Sequence, residues 1–399
     1  MTDAPTRTVP LSVLDLAPVV SGGSGAEALA DSLDLAGELD RLGYHRVWFA
    51  EHHLTPGVAS AAPAVLAALV AERTRRIRVG SGAVVLSHTS PLVALEQFAT
   101  IARIHPGGVD LGLGRAAIAT AQRQAASAGS PTPSTPAAAP RTDEVVDGVV
   151  IPAPPPFTLT DPAVREVLAA RGRVVGTRAD IPSFAEEVRL VLDLLAGEHV
   201  TSDGRCYASP LTTGADLEVW PLASSGGESA TVAGELGLPL AANYHVSPAT
   251  IRQTVESYRR AFRLGVLSEP YVAVSADVVV APTEEEARRL TAGYPHFVRT
   301  VRNLSGAEPY RSPEEAAGVA LSEEEEALVH DRLVAQIVGA PDQVAARLRA
   351  LARVTGADEL IVTTITHRHA DRVRSYRLLA QEWGLDAAPA ETAALTAVR

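Results

Sequence analysis

An acid and two histidines, Glu51-His52-His53, follow directly on the apolar run Val47-Trp48-Phe49-Ala50. A short run rich in β-branched and aromatic residues reads as a buried strand. The polar triplet then falls where the chain leaves the core. Imidazole exchanges protons near neutral pH, so a histidine at a strand exit is a candidate acid or base. A solitary histidine there serves equally well as a partner for backbone groups, and company from elsewhere in the chain must decide.

Four further segments place polar or glycine-rich sequence at predicted strand ends. They are Gly80-Ser81-Gly82-Ala83-Val84-Val85-Leu86-Ser87-His88, Asp110-Leu111-Gly112-Leu113-Gly114-Arg115, Ala223-Ser224-Ser225-Gly226-Gly227-Glu228-Ser229 and Ala242-Asn243-Tyr244-His245. Arg115 closes a Gly-rich strand, and a guanidinium fork suits a phosphate. Ser224, Ser225, Gly226 and Gly227 lead into a helix start, where backbone N–H groups and the helix dipole favour an anion. The same residues also make an ordinary helix cap. Glu228 would repel a phosphate and is expected to face away. Gly112-x-Gly114-x-x-Ala117 loosely fits a dinucleotide fingerprint, but no acidic ribose-binding residue and second mononucleotide half follow it. His367-x-His369 lacks a third ligand, so no metal is expected.

The elements that would carry these residues alternate. Apolar runs at 11–16, 47–50, 77–86, 109–113, 217–222, 240–243, 271–280 and 359–363 read as strands. Segments of helical spacing lie between them, at 26–42, 60–73, 91–104, 184–195, 229–236, 248–262, 283–290, 341–354 and 370–383. Gly43 reads as a C-cap, Pro91 as a first-turn proline, and Thr283-Glu284-Glu285-Glu286 as a capping box. Eight strands with intervening helices predict an α/β fold, a closed (β/α)8 barrel, with an open doubly wound sheet as the runner-up. Long insertions follow strand 4, at 116–180, and strand 7, at 292–335. The first holds Ala/Ser/Pro/Thr-rich sequence that cannot pack a core and is expected to be a mobile lid. The second reads as acidic and irregular. We expect one barrel domain over residues 1–399.

Composition narrows the function. The chain has 399 residues, 46% of them hydrophobic but only 4% aromatic, so the core must be mainly Ala, Val and Leu. A net charge of −12 argues against nucleic acid as a partner. The single cysteine, Cys206, excludes an intramolecular disulfide and fits a cytoplasmic location. No leader and no membrane span are read in the sequence.

Taken in order, Ala50-Glu51-His52-His53 and the four segments above resemble the bacterial luciferase-like flavin monooxygenases. The closing patterns Val338-Gly339-Ala340-Pro341-Asp342-Gln343-Val344 and Thr355-Gly356-Ala357-Asp358-Glu359-Leu360 extend the resemblance to nearly the whole chain. No single motif is specific; the ordered set is. The resemblance implies a (β/α)8 barrel that takes reduced FMN as cosubstrate from a partner flavin reductase and oxygenates a small organic substrate with O2. It implies that His52 is the active-site histidine, oriented by Glu51, with His245 also in the catalytic set. It places Gly82-Ala83 under the isoalloxazine ring with a non-prolyl cis peptide. It assigns the flavin phosphate to Arg115 together with Ser224, Ser225, Gly226 and Gly227. His53, His88, Asn243 and Tyr244, with His245, would face the substrate. Relatives on the same barrel use a deazaflavin coenzyme for hydride transfer, which is the alternative. A flavin-binding protein without catalysis is a third reading, against which the retained His52 speaks. We expect a homodimer or a larger homo-oligomer.

Overall fold

The computed structural model describes residues 9–115, 142–156, 162–178, 181–303 and 306–386. Eight parallel strands form its centre: β1 (Leu11–Asp15), β2 (Arg46–Phe49), β3 (Arg78–Ser81), β4 (Val109–Gly114), β5 (Leu217–Ala223), β6 (Leu240–Asn243), β7 (Val272–Val280) and β8 (Glu359–Thr363). Each pairs with the next. The ring closes where β8 meets β1 through Leu11↔Leu360, Ser12↔Ile361 and Val13↔Val362. An open sheet has no such pairing, so the barrel is the fold.

Alternation along each strand divides the apolar residues. Outward residues such as Leu11, Val13, Val47, Phe49 and Val79 pack in one large cluster with the surrounding helices. Inward residues Leu14, Trp48, Trp220, Ala241, Ala273 and Ile361 fill the barrel. Small alanines leave space for two tryptophans, Trp48 and Trp220, whose rings meet edge-on at 5.3 Å. Among the helices, Gly25–Leu42 starts with a Ser24/Glu27 capping box and stops at Gly43, whose φ of 84° is left-handed. Pro91 opens Pro91–Ile104 beneath the Ser90 cap. Thr283 accepts from the Glu286 N–H.

The N-terminal end of the barrel is closed by charge. Arg46, 3% exposed, donates to Asp110 at 2.8 Å and to Glu359 at 2.8 Å, both fully buried. Its guanidinium also lies 4.7 Å from the Trp220 ring centroid. Burial disfavours the arginine's charge, but Asp110 and Glu359 outweigh it and hold its pKa above the ordinary value. The expectation of a core mainly of Ala, Val and Leu did not include this charged layer.

Three expectations are corrected. The stretch 77–86 is not one strand. β3 ends at Ser81, the Gly82–Ala83 peptide is cis, and Val84–Val85 pairs instead with β4. The insertion after β4 is not irregular throughout. Glu144–Val146 and Val149–Ile151 form a hairpin whose turn, Asp147-Gly148, has φ of 48° and 82°. That Asp-Gly pair between β-branched residues is a strong hairpin signal. Pro162–Val175 is a helix. The Ala/Pro-rich tract 116–141 lies outside the described residues, as do 157–161 and 179–180. The insertion after β7 is helical, with Tyr294–Arg302, Pro313–Ala317 and Glu323–Ala335, the last two started by capping boxes at Ser312 and Ser322. Among the described residues no helix is long and apolar enough to cross a membrane.

Candidate active site

The strand ends that carry the candidate residues converge on the C-terminal rim of the barrel. The loop after β2 is pinned by its backbone. His52 N–H donates to Ser60 O at 2.9 Å, and Ser60 Oγ donates to Ala50 O at 2.5 Å. His52 is half-buried, and its Nδ1 is wholly buried without a hydrogen-bond partner. Burial pushes its pKa down to about 4, although Glu51 pulls the other way. The ring is therefore neutral at pH 7.

Glu51 holds other groups than the one expected. Its Oε2 accepts from the Val85 N–H at 2.9 Å. Its Oε1 lies 2.9 Å from His53 Nε2 and 3.3 Å from His88 Nδ1. Burial works against its charge, but these hydrogen bonds outweigh it and keep the carboxyl below its ordinary value. Glu51 thus orients His53 and His88, while His52 feels it through charge alone. The ligand atoms of Glu51, His53 and His88 lie within 4.8 Å of one another and could hold a cation, but their mutual hydrogen bonds account for the arrangement. His367 and His369 turn to separate partners, Ser21 O and Asp34.

His245 stands across the rim at the end of β6. Its Nδ1 is 2.5 Å from Ser275 Oγ, and its N–H donates to Ser275 O at 3.2 Å. Burial pushes its pKa down to about 4; Asp277 opposes this, and Arg332 and a proton on His52 reinforce it. Asp277, inward on β7, accepts from Tyr294 Oη and, at 3.1 Å, from Arg332. The sequence reading missed Ser275, Asp277, Tyr294 and Arg332. A lone acid inside the apolar run 271–280 was the available signal for Asp277.

Tyr244 is corrected. It belongs to the outer cluster with Ala242, and its hydroxyl donates to Val150 O at 2.7 Å. The side chain secures the hairpin instead of lining the substrate side. Its neighbour Asn243 faces inward and donates to Ser224 Oγ at 3.0 Å.

Small residues shape the remaining rim. A Cβ on Gly112 would lie 1.9 Å from Ser81 O, so β3 and β4 can approach only with glycine there. A Cβ on Gly114 would lie 3.1 Å from the Ala83 methyl, which makes Gly82, Ala83 and Gly114 one low shelf. Gly226 packs against Ser257 and Gln253, where a Cβ would lie 2.6 Å from Ser257 Oγ. Gly227 begins the helix Glu228–Glu235 without a side-chain cap. Ser225 Oγ comes within 3.4 Å of a Cβ placed on Gly227. Arg115 Nε donates to Ser229 Oγ at 3.2 Å, and Nη1 donates to the Glu228 carboxylate. Glu228 therefore faces the arginine, contrary to expectation, because the fork offers its charge the nearest compensation.

The first insertion reaches this rim. Arg171 donates to His53 O at 2.9 Å and Leu54 O at 3.1 Å. Arg178 donates to Leu86 O at 3.1 Å. A cavity of about 710 Å³ lies at the opposite end, beside Arg46, Glu218 and Tyr271. None of the candidate strand-end residues lines it.

Comparison with known proteins decides the family. The model of the family described as luciferase-like monooxygenase matches residues 10–149 and 164–359. The chain belongs to the luciferase-like monooxygenase family. The luciferase-like monooxygenase of Escherichia coli K12 is 32% identical over 95% of this chain and 97% of its own. The uncharacterized protein YvbT of Bacillus subtilis is 38% identical over 94% of this chain and 96% of its own. Among solved structures, apo-MsnO8 superposes with a TM-score of 0.70 at 29% identity, covering 96% of this chain and 99% of that one. The chain is thus a flavin-dependent oxidoreductase of the luciferase-like class.

The two rim histidines link pH to stability. Each has an unfolded value near 6.5 and a folded value near 4. Between those values the unfolded chain binds protons that the folded chain refuses, so stability is full above pH 6.5 and falls towards pH 4. His245→Gln should lose about one proton of this slope, read from urea denaturation at several pH values. Superimposable slopes for the two proteins would show that His245 is not held neutral.

Proposed function

We propose that this chain is the oxygenating component of a two-component monooxygenase. Reduced FMN comes from a separate flavin reductase, and one atom of O2 enters a small organic substrate. The observation that carries the reading is the buried, partnerless Nδ1 of His52 on the same rim as the Gly82–Ala83–Gly114 shelf and the Arg115 fork. A buried polar nitrogen costs free energy unless something completes it, and a bound reactant is the natural completion.

The residues suit a flavin. Arg115, Ser229 and the uncapped first turn at Gly227 would hold its phosphate, with Ser224, Ser225 and Gly226 forming the loop wall. The ring would lie against the shelf of Gly82 and Ala83. Bound in reduced form, the flavin supplies the electrons that activate O2. His52, neutral at pH 7, can accept or donate a proton beside it. His245, held by Ser275, does the same from the opposite side. His53, His88 and Asn243 face the substrate, with Glu51 fixing the two imidazoles. The insertions shield this rim from water. We place the protein in the cytoplasm, where a reductase can supply reduced flavin, and expect a homodimer or larger assembly.

The rival cofactor is a deazaflavin, which would make the chemistry hydride transfer. Anaerobic titration with each reduced cofactor, followed by admission of O2, separates them. Tighter binding of reduced FMN with protein-dependent O2 uptake is expected. Preference for reduced deazaflavin, without faster O2 uptake, would overturn the monooxygenase reading.

A further inference from the structure

The Arg115 fork already holds an anion. One carboxylate oxygen of Glu228 accepts from Arg115 Nη1, and the other accepts from the Phe184 N–H at 3.1 Å. Phe184 is the first residue of the helix Phe184–Ala196, and its ring lies 5.5 Å from the guanidinium. The carboxylate thus sits where a guanidinium and two helix N-termini meet. That is the position a phosphate would choose. Two anions cannot share one partly buried fork without strong repulsion. Arg115 is 15% exposed and Glu228 34%, so Glu228 has open space to swing towards.

We propose that Glu228 is an internal anion that occupies the Arg115 fork until a flavin phosphate displaces it. This inference rests on the flavin site proposed above. Glu228 keeps the guanidinium aimed and compensated between turnovers. It also subtracts from the affinity for a phosphorylated flavin and leaves riboflavin untouched. The cofactor is thereby held loosely enough to exchange with a reductase. The residue sets how strongly the protein discriminates FMN from riboflavin.

The test is fluorescence titration of the full chain with FMN and with riboflavin, for the parent, E228Q, E228D and R115A. Gln retains an acceptor for the Phe184 N–H while losing the charge. E228Q should bind FMN about tenfold more tightly, a charge-assisted contact discounted for partial exposure. Riboflavin binding should stay within about twofold, which also reports an intact fold. E228D should fall between parent and E228Q, and it decides by the same criterion should E228Q not fold. R115A should abolish the preference for FMN. Unchanged or weaker FMN binding in E228Q, with R115A still erasing the preference, overturns the role of Glu228 and leaves the phosphate site standing. Equal losses of FMN and riboflavin in R115A remove the phosphate from Arg115 and overturn both.

Discussion

Changing His52 to alanine should cut product formation by about 10²–10⁴-fold, the usual worth of a positioned acid–base group. The side chain makes no hydrogen bond at Nδ1 that holds the fold, and its loop is pinned through backbone atoms that alanine keeps. FMN affinity should therefore hardly move, because the phosphate site proposed above is at Arg115, on another strand end. With a pKa of about 4, the imidazole enters the reaction neutral, offering one N–H and one lone pair. Without it, O2 consumption should persist but divert from product towards hydrogen peroxide. Single-turnover oxidation of reduced FMN, with product and peroxide counted together, reads both quantities. Parent-like product yield would make His52 a structural residue.

Replacing Arg46 by methionine should cost about 3–5 kcal/mol, as when one partner of a buried ion network is removed. Asp110 would keep some compensation, since Arg78 Nη2 donates to it at 2.5 Å and Trp48 Nε1 at 2.9 Å. Among the described residues Glu359 would keep only hydroxyl donors, Ser12 at 2.5 Å and Tyr271 at 3.0 Å. The uncompensated charge thus resides on Glu359, and the double variant Arg46→Met/Glu359→Gln should regain much of the loss. Urea denaturation of both variants measures this. A single variant as stable as the parent would show that the charged layer contributes little. The network lies at the far end of the barrel, so flavin affinity of the folded protein should be unaffected.

The barrel was legible in the sequence because its strands are short apolar runs between helices of clear period, with Gly43, Pro91 and Thr283 marking ends by backbone chemistry. The gathering of the candidate residues on one rim was legible as a set of strand ends. What escaped were contacts between segments distant in sequence. Glu228 was expected to turn away because its repulsion of a phosphate was weighed and its attraction to Arg115, more than a hundred residues earlier, was not. Tyr244 was placed on the substrate side from its position at a strand end, and the partner that turns it away, Val150, lies in the first insertion, where no hairpin was expected. Arg46, Asp110 and Glu359 each look like a stray charge in a strand, and only closure of the ring makes them neighbours. Asp277 escaped for the same reason, since Tyr294 and Arg332 come from the insertion after β7.

The way the first insertion grips the rim has a consequence for divergence and for engineering. Arg171 and Arg178 fasten it through main-chain oxygens of His53, Leu54 and Leu86. Such a grip is indifferent to which side chains those positions carry. Those positions can therefore change side chain while these contacts to the insertion persist. Varying the side chain at Leu54 should therefore leave the insertion's contacts in place, whereas varying His53 or His88 also removes a hydrogen bond of Glu51.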